Sequence, residues 1–158
     1  MNPTPSQTVG PFFGFALPFE EDANAVAPHA AGAVRVEGQV LDGAGQSVPD
    51  ALLEIWHGRQ FARCRTDAEG AFHFTVSKPE ASTGAAPFLN LTVFARGLLR
   101  HLCTRIYCPD EPLANEGDPA LARVAPKRRH TLIARQEAGI LHYDVRLQGE
   151  DETVFFAL

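Results

Sequence analysis

From Ala33 onward, apolar and polar residues alternate. Val34, Val36 and Val40 fall on one side of the first run, and Arg35, Glu37 and Gln39 on the other. A period of two with β-branched residues predicts a half-buried strand. Asp42-Gly43-Ala44-Gly45 follows, a turn made of residues that tolerate positive φ. Residues 51–57 predict a second strand, with Leu53 and Ile55 opposite Glu54 and Trp56. Residues 63–66 and 72–76, around Asp67-Ala68-Glu69-Gly70, predict a hairpin. Residues 87–95 and 101–107 predict another, around Arg96-Gly97. Residues 132–135 and 141–147 predict the last, around Glu137-Ala138-Gly139. About seven or eight short strands with regularly spaced turns predict an all-β fold, an Ig/prealbumin-like antiparallel β-sandwich.

Three stretches break the pattern. Residues 77–86 are a loop rich in Pro, Ser and Gly. Residues 110–124 carry Leu113, Ala114, Leu121 and Ala122 with Pro119 among them, which predicts one or two short helical turns. The start of the chain, Thr4-Pro5-Ser6-Gln7-Thr8-Val9-Gly10-Pro11-Phe12-Phe13, has too much Pro and Gly for a regular helix or a central strand, and too many apolar residues for a free tail. Residues 1–32 are therefore expected to be a packing arm, seated on this domain's own core or on a partner subunit, and residues 33–158 the sandwich domain. The apolar end Val154-Phe155-Phe156-Ala157-Leu158 is expected to be sticky when no partner covers it.

At 158 residues the chain suffices for one domain with a full core. Its net charge of −5 argues against nucleic acid. The basic run Lys127-Arg128-Arg129 reads as a solvated loop. No apolar run approaches the roughly 20 residues of a membrane helix, and the start has no signal-peptide pattern. Three cysteines, Cys64, Cys103 and Cys108, lack zinc spacing and read as reduced, mostly buried thiols in a cytoplasmic protein.

Signs of self-contained catalysis are missing. There is no Gly-rich phosphate loop, no G-x-S-x-G elbow and no H-E-x-x-H pair. His73 and His142 sit in alternating strands, out of phase with their apolar neighbours, and read as surface or hydrogen-bonded residues. Tyr107 and Tyr143, with His101 and His142, offer the donor types of a ferric site, but no spacing requires them to converge. Tyrosines with satisfied hydroxyls account for them better.

Several segments, taken in order, carry a resemblance. They are Thr4-Pro5-Ser6-Gln7-Thr8-Val9-Gly10-Pro11, Gly38-Gln39-Val40-Leu41-Asp42-Gly43, Leu53-Glu54-Ile55-Trp56, Phe94-Ala95-Arg96-Gly97, Thr104-Arg105-Ile106-Tyr107, Thr131-Leu132-Ile133-Ala134-Arg135 and Arg146-Leu147-Gln148-Gly149-Glu150, then Glu152-Thr153-Val154-Phe155-Phe156. Across nearly the whole chain they resemble the intradiol ring-cleavage dioxygenase family, in particular its alpha-type chains, which bear no metal. The resemblance implies a β-sandwich and an iron-binding beta subunit as partner in an (alpha-beta)n assembly. Fe(III) would be held by that partner through two tyrosines and two histidines. The matching His-x-His strand reads Phe88-Leu89-Asn90 here, and neither tyrosine position is filled: the loop after Trp56 is short, and no tyrosine follows Ser77-Lys78-Pro79.

What the resemblance leaves to this chain is a pocket wall made of Thr8, Gly10, Pro11 and Arg96. Phe12 stands where the family often has tyrosine. The implied reaction joins protocatechuate and O2 to give 3-carboxy-cis,cis-muconate, and the chain alone is expected to be inactive and free of iron. A guanidinium suits the substrate carboxylate, and a Gly-Pro wall permits close backbone approach. A non-enzymatic, prealbumin-like binding or scaffold module remains an alternative, because Gly38-Gln39-Val40-Leu41-Asp42 with Pro49-Asp50-Ala51 suits such sandwiches as well.

Overall fold

Strands with one apolar face need a second apolar layer, and the chain supplies both layers itself. The computed structural model describes residues 3–157. Its strands are β1 Ala33–Leu41, β2 Leu52–His57, β3 Gln60–Arg65, β4 Ala71–Ser77, β5 Phe88–Phe94, β6 Leu102–Tyr107, β7 Arg135–Glu137, β8 Ile140–His142 and β9 Val145–Arg146. One sheet has the order β4-β1-β8-β7, with β9 also paired to β1; the other has the order β3-β2-β5-β6. Val36, Val40, Phe74 and Val76 from the first sheet meet Leu53, Ile55, Leu89, Leu91, Val93 and Ile106 from the second in one buried core. A smaller cluster of Ala86, Tyr107, Leu121 and Leu132 lies beneath the helical connection.

The sandwich is as expected, with three differences. There are nine described strands, and the first sheet is mixed, because β8 and β9 both pair with β1 in parallel. β3 and β4 do not form a hairpin: β3 pairs with β2, and β4 with β1. The turn between them does form, with the Asp67 carboxylate accepting from the backbone N–H groups of Glu69 and Ala71, but its two ends enter different sheets. Thr66 donates to Ala51 O in one layer, while Gly70 O accepts from Val40 in the other.

The helical turns fall at α2 Pro112–Gly117 and α3 Pro119–Arg123, where Pro119 opens the second helix instead of ending the first. A 3-10 turn, Pro126–Leu132, carries the basic run, which is not a solvated loop. Arg129 donates to Val124 O and Ala122 O, and Arg128 to Glu152 O. Cys64 and Cys103 are only half-buried; Cys108 alone is buried, and burial pushes its thiol up to about 11. No described helix is long and apolar enough to cross a membrane.

The arm includes a four-residue helix, α1 Phe13–Ala16, and is tied to its own domain. Arg65 donates to Gly14 O, Arg63 donates to Leu17 O, and at the edge of β4 Ala25 N donates to Thr75 O while Thr75 N donates to Ala23 O. Phe13 is buried, but Phe12 and Phe19 are 79% and 71% exposed. The apolar end is partly covered by the chain itself: Phe155 packs on the main core, Val154 and Phe156 on the smaller cluster. Met1, Asn2 and Leu158 lie outside the described residues.

Candidate functional site

The arm and the β5–β6 turn meet at one end of the sandwich. Thr8 Oγ1 accepts a 3.1 Å hydrogen bond from the backbone N–H of Gly97, which holds the arm beside Arg96. Arg96 pairs through Nε with Asp50, and Pro11, Phe13, Gly14, Asp50, Arg65 and Arg96 line a small pocket there. Thr8, Pro11 and Arg96, proposed together on sequence, are thus brought together. Gly10 lies between them in the arm at φ +72°, with nothing within 4 Å of where its side chain would stand. Asp50 received no role on sequence, since a Pro-Asp turn looks like turn chemistry alone. Its bond to Nε leaves the two terminal guanidinium nitrogens of Arg96 without a hydrogen bond among the described residues.

The residues at the family's histidine positions lie elsewhere, on β5. Phe88 faces Tyr107 across the β5–β6 ladder, and Asn90 faces Arg105. The Arg105 guanidinium lies 4.0 Å from the centroid of the Phe88 ring and 5.4 Å from that of Phe156. These residues do not fit ferric iron. Phe88 has no donor atom, Asn90 offers a neutral one, and a guanidinium already supplies the local positive charge. Among the described residues, no group of three or more His, Cys, Asp or Glu could hold a metal ion.

Behind Arg105 runs a buried polar chain that sequence reasoning missed. Arg105 donates to Tyr107 Oη (3.2 Å), and Tyr107 donates to Asp118 Oδ1 (3.0 Å). Asp118 also caps α3 by accepting from the N–H groups of Ala120 and Leu121, and takes a further bond from Ala86. Burial raises its pKa, but the bonds from Leu121, Ala86, Tyr107 and Ala120 together outweigh burial and hold it below the usual carboxylate value. Burial raises the Tyr107 phenol. The only sequence signal was Asp immediately before Pro119, an N-cap pattern.

The remaining candidates have structural roles. Tyr143 is buried, with its hydroxyl 3.4 Å from Thr104 Oγ1, and the His101 ring lies tilted against that of Phe94. Glu37 lies between His73 and His142 in the ladders of β1. A hydrogen bond from Arg35 lowers the Glu37 pKa, and burial, with help from Arg35, lowers that of His73.

No family model matches the chain. It is 39% identical to the protocatechuate 3,4-dioxygenase alpha chain of Burkholderia cepacia, over 97% of this chain and 96% of the relative. Identity to the alpha chain of the same name from Pseudomonas putida is 35%, over 97% and 95%. The beta chain of the Burkholderia cepacia enzyme is 29% identical over 75% of this chain and 65% of its own length. Among solved structures, the dioxygenase domain of a dioxygenase–carbohydrate-binding protein fusion from Streptomyces sp. SirexAA-E matches with a TM-score of 0.63 at 22% identity. That match covers 94% of this chain and 99% of the other, and supports the sandwich fold.

Proposed function

The chain belongs to the family of protocatechuate 3,4-dioxygenase alpha chains, and from that premise we propose that it is the iron-free wall of a two-chain active site. Ferric iron on an iron-binding beta chain would supply the chemistry that joins O2 to the catechol ring, giving 3-carboxy-cis,cis-muconate from protocatechuate. The observation that carries this reading is the replaced donor set: Phe88 lies beneath the Arg105 guanidinium, and Asn90 faces Arg105 across the ladder, where a metal-bearing chain needs imidazoles. The relationship to a beta chain supports a partner of the same fold family. Outward-facing Phe12 and Phe19 support burial of the arm, residues 1–32, against that partner. Three unpaired cysteines support the cytoplasm as its compartment. Co-purification with a beta chain carrying about one iron per pair, with O2 uptake on protocatechuate, is the expected result. Recovery of the chain alone, without a partner, would refute the reading.

This chain's own contribution is to bind and orient. Asp50 anchors Arg96 through Nε, so the guanidinium is aimed without using its terminal N–H groups, which suit a substrate carboxylate. Thr8 pins the arm to the same turn, and Pro11 closes the wall. Replacing Arg96 by Ala in the assembled enzyme is expected to raise KM for protocatechuate by about tenfold or more, the scale of one charge-assisted bond. Turnover of catechol, which lacks the carboxylate, should hardly change, and Arg96→Lys should recover part of the loss. Equal losses on both substrates would remove the carboxylate role.

Gly10 tests the arm. The open space around it lies outside this chain. Gly10→Val should cost the chain itself only about 1–2 kcal/mol, from the left-handed backbone. In the assembly it should raise KM or weaken pairing, because the new side chain occupies the partner's side. Unchanged steady-state kinetics and an unchanged subunit affinity would place Gly10 away from the pocket.

A further inference from the structure

A far larger cavity than the pocket beside Arg96 is an open cleft of about 900 Å³, which shares no lining residue with that pocket. Its walls include Trp56, Leu91 and Phe156, and its charged residues are Arg105, Arg123 and Arg128. None of the lining residues is acidic. Three guanidiniums on low-dielectric walls focus a positive field into the cleft.

Two of these guanidiniums have unused donors. Arg128 Nε is buried without a hydrogen-bond partner among the described residues, while Arg128 Nη2 is held by Glu152 O. The side chain of Arg123, at the end of α3, makes no hydrogen bond or ion pair among the described residues. Arg105 lies over the Phe88 ring, with Nη1 directed at Tyr107. Planar cations with free N–H groups suit a carboxylate. Trp56, 47% exposed and tilted against Phe61 at 4.4 Å, offers a ring face. The volume falls within the range of small-molecule sites.

We propose that this cleft is a second binding site, which takes an aromatic carboxylate without a metal. Its cations select the anion and its apolar walls select the ring. Because Phe88 and Asn90 cannot hold iron, a ligand here would be bound and left unreacted.

The test uses the chain in its native assembly, with benzoate as probe in equilibrium dialysis. Wild type should bind one equivalent per copy of this chain that Arg123→Glu weakens at least tenfold, and Arg123→Lys should restore most of it. Crystals soaked in 4-iodobenzoate should show the iodine in the cleft, between Trp56 and Arg123. Benzoate binding identical in wild type and Arg123→Glu would overturn the proposal. So would a segment of a partner chain found filling the cleft.

Discussion

Gly38→Ala is expected to destabilise the chain by at least about 3 kcal/mol, because the added methyl group has nowhere to go. An ideal Cβ at Gly38 would lie 1.8 Å from the carbonyl oxygen of Tyr143 and 2.6 Å from its carbon. Both are backbone atoms, so no side chain can rotate away. The segment after β8 would have to lift from β1. That movement breaks the bond from Tyr143 N to Glu37 O (2.9 Å) and the bond from Gln39 N to Asp144 Oδ1 (3.1 Å). It also loosens the parallel pairing of Val40 with Val145 and of Leu41 with Arg146. Chemical denaturation of the two proteins checks the result. A loss below about 1 kcal/mol would mean that the Tyr143 segment shifts without strain.

Asp118→Ala is expected to cost about 3–5 kcal/mol, on the order of 10 °C in Tm for a domain of this size. The side chain is fully buried and caps α3, and its loss would leave Tyr107 Oη and Ala86 N without an acceptor inside the protein. Each buried donor left unpaired costs about 1–3 kcal/mol. Release of Tyr107 also frees Arg105 to leave the Phe88 ring. The pH dependence has a definite sign. Because the folded carboxyl has a lowered pKa, its stabilisation is present above the unfolded carboxylate value of about 3.9 and is lost as pH falls through the folded value. Asp118→Asn should therefore lose less stability than wild type on acidification below about pH 4. Thermal melts of both proteins between neutral and acidic pH test this. Parallel curves would mean that Asp118 does not carry the acid sensitivity.

Strand positions and turns were readable because period-two alternation is a local property. Val34 to Val40, Leu53 and Ile55, and Leu89 to Val93 place their side chains by backbone geometry alone. Pairing between strands is not local. The turn Asp67-Ala68-Glu69-Gly70 has the same side-chain chemistry whether its strands pair or part. Here Ala51 and Val40 claim its two ends for different sheets. The parallel partners of β1 lie about a hundred residues away, beyond any local pattern.

Once the resemblance assigns the ligand positions, the Phe and the Asn that stand there are read from residue type alone, whatever their surroundings. What surrounds them is not. Arg105 on Phe88, the acid-free cleft with Trp56, Arg123 and Arg128, and Asp118 beneath Tyr107 join residues from distant strands and helices. The basic run shows the same limit, because Arg128 and Arg129 find carbonyl partners only once α3 and the C-terminal segment are in place.

By itself, then, the sequence determined the sandwich, its turns and the irregular arm, because each depends on residue type and short-range periodicity. Only the tertiary structure decided which strands pair, that Asp50 aims Arg96 beside Thr8 and Pro11, and that three arginines share one cleft. Those outcomes depend on chain segments far apart in sequence competing for the same buried space and the same hydrogen-bond partners.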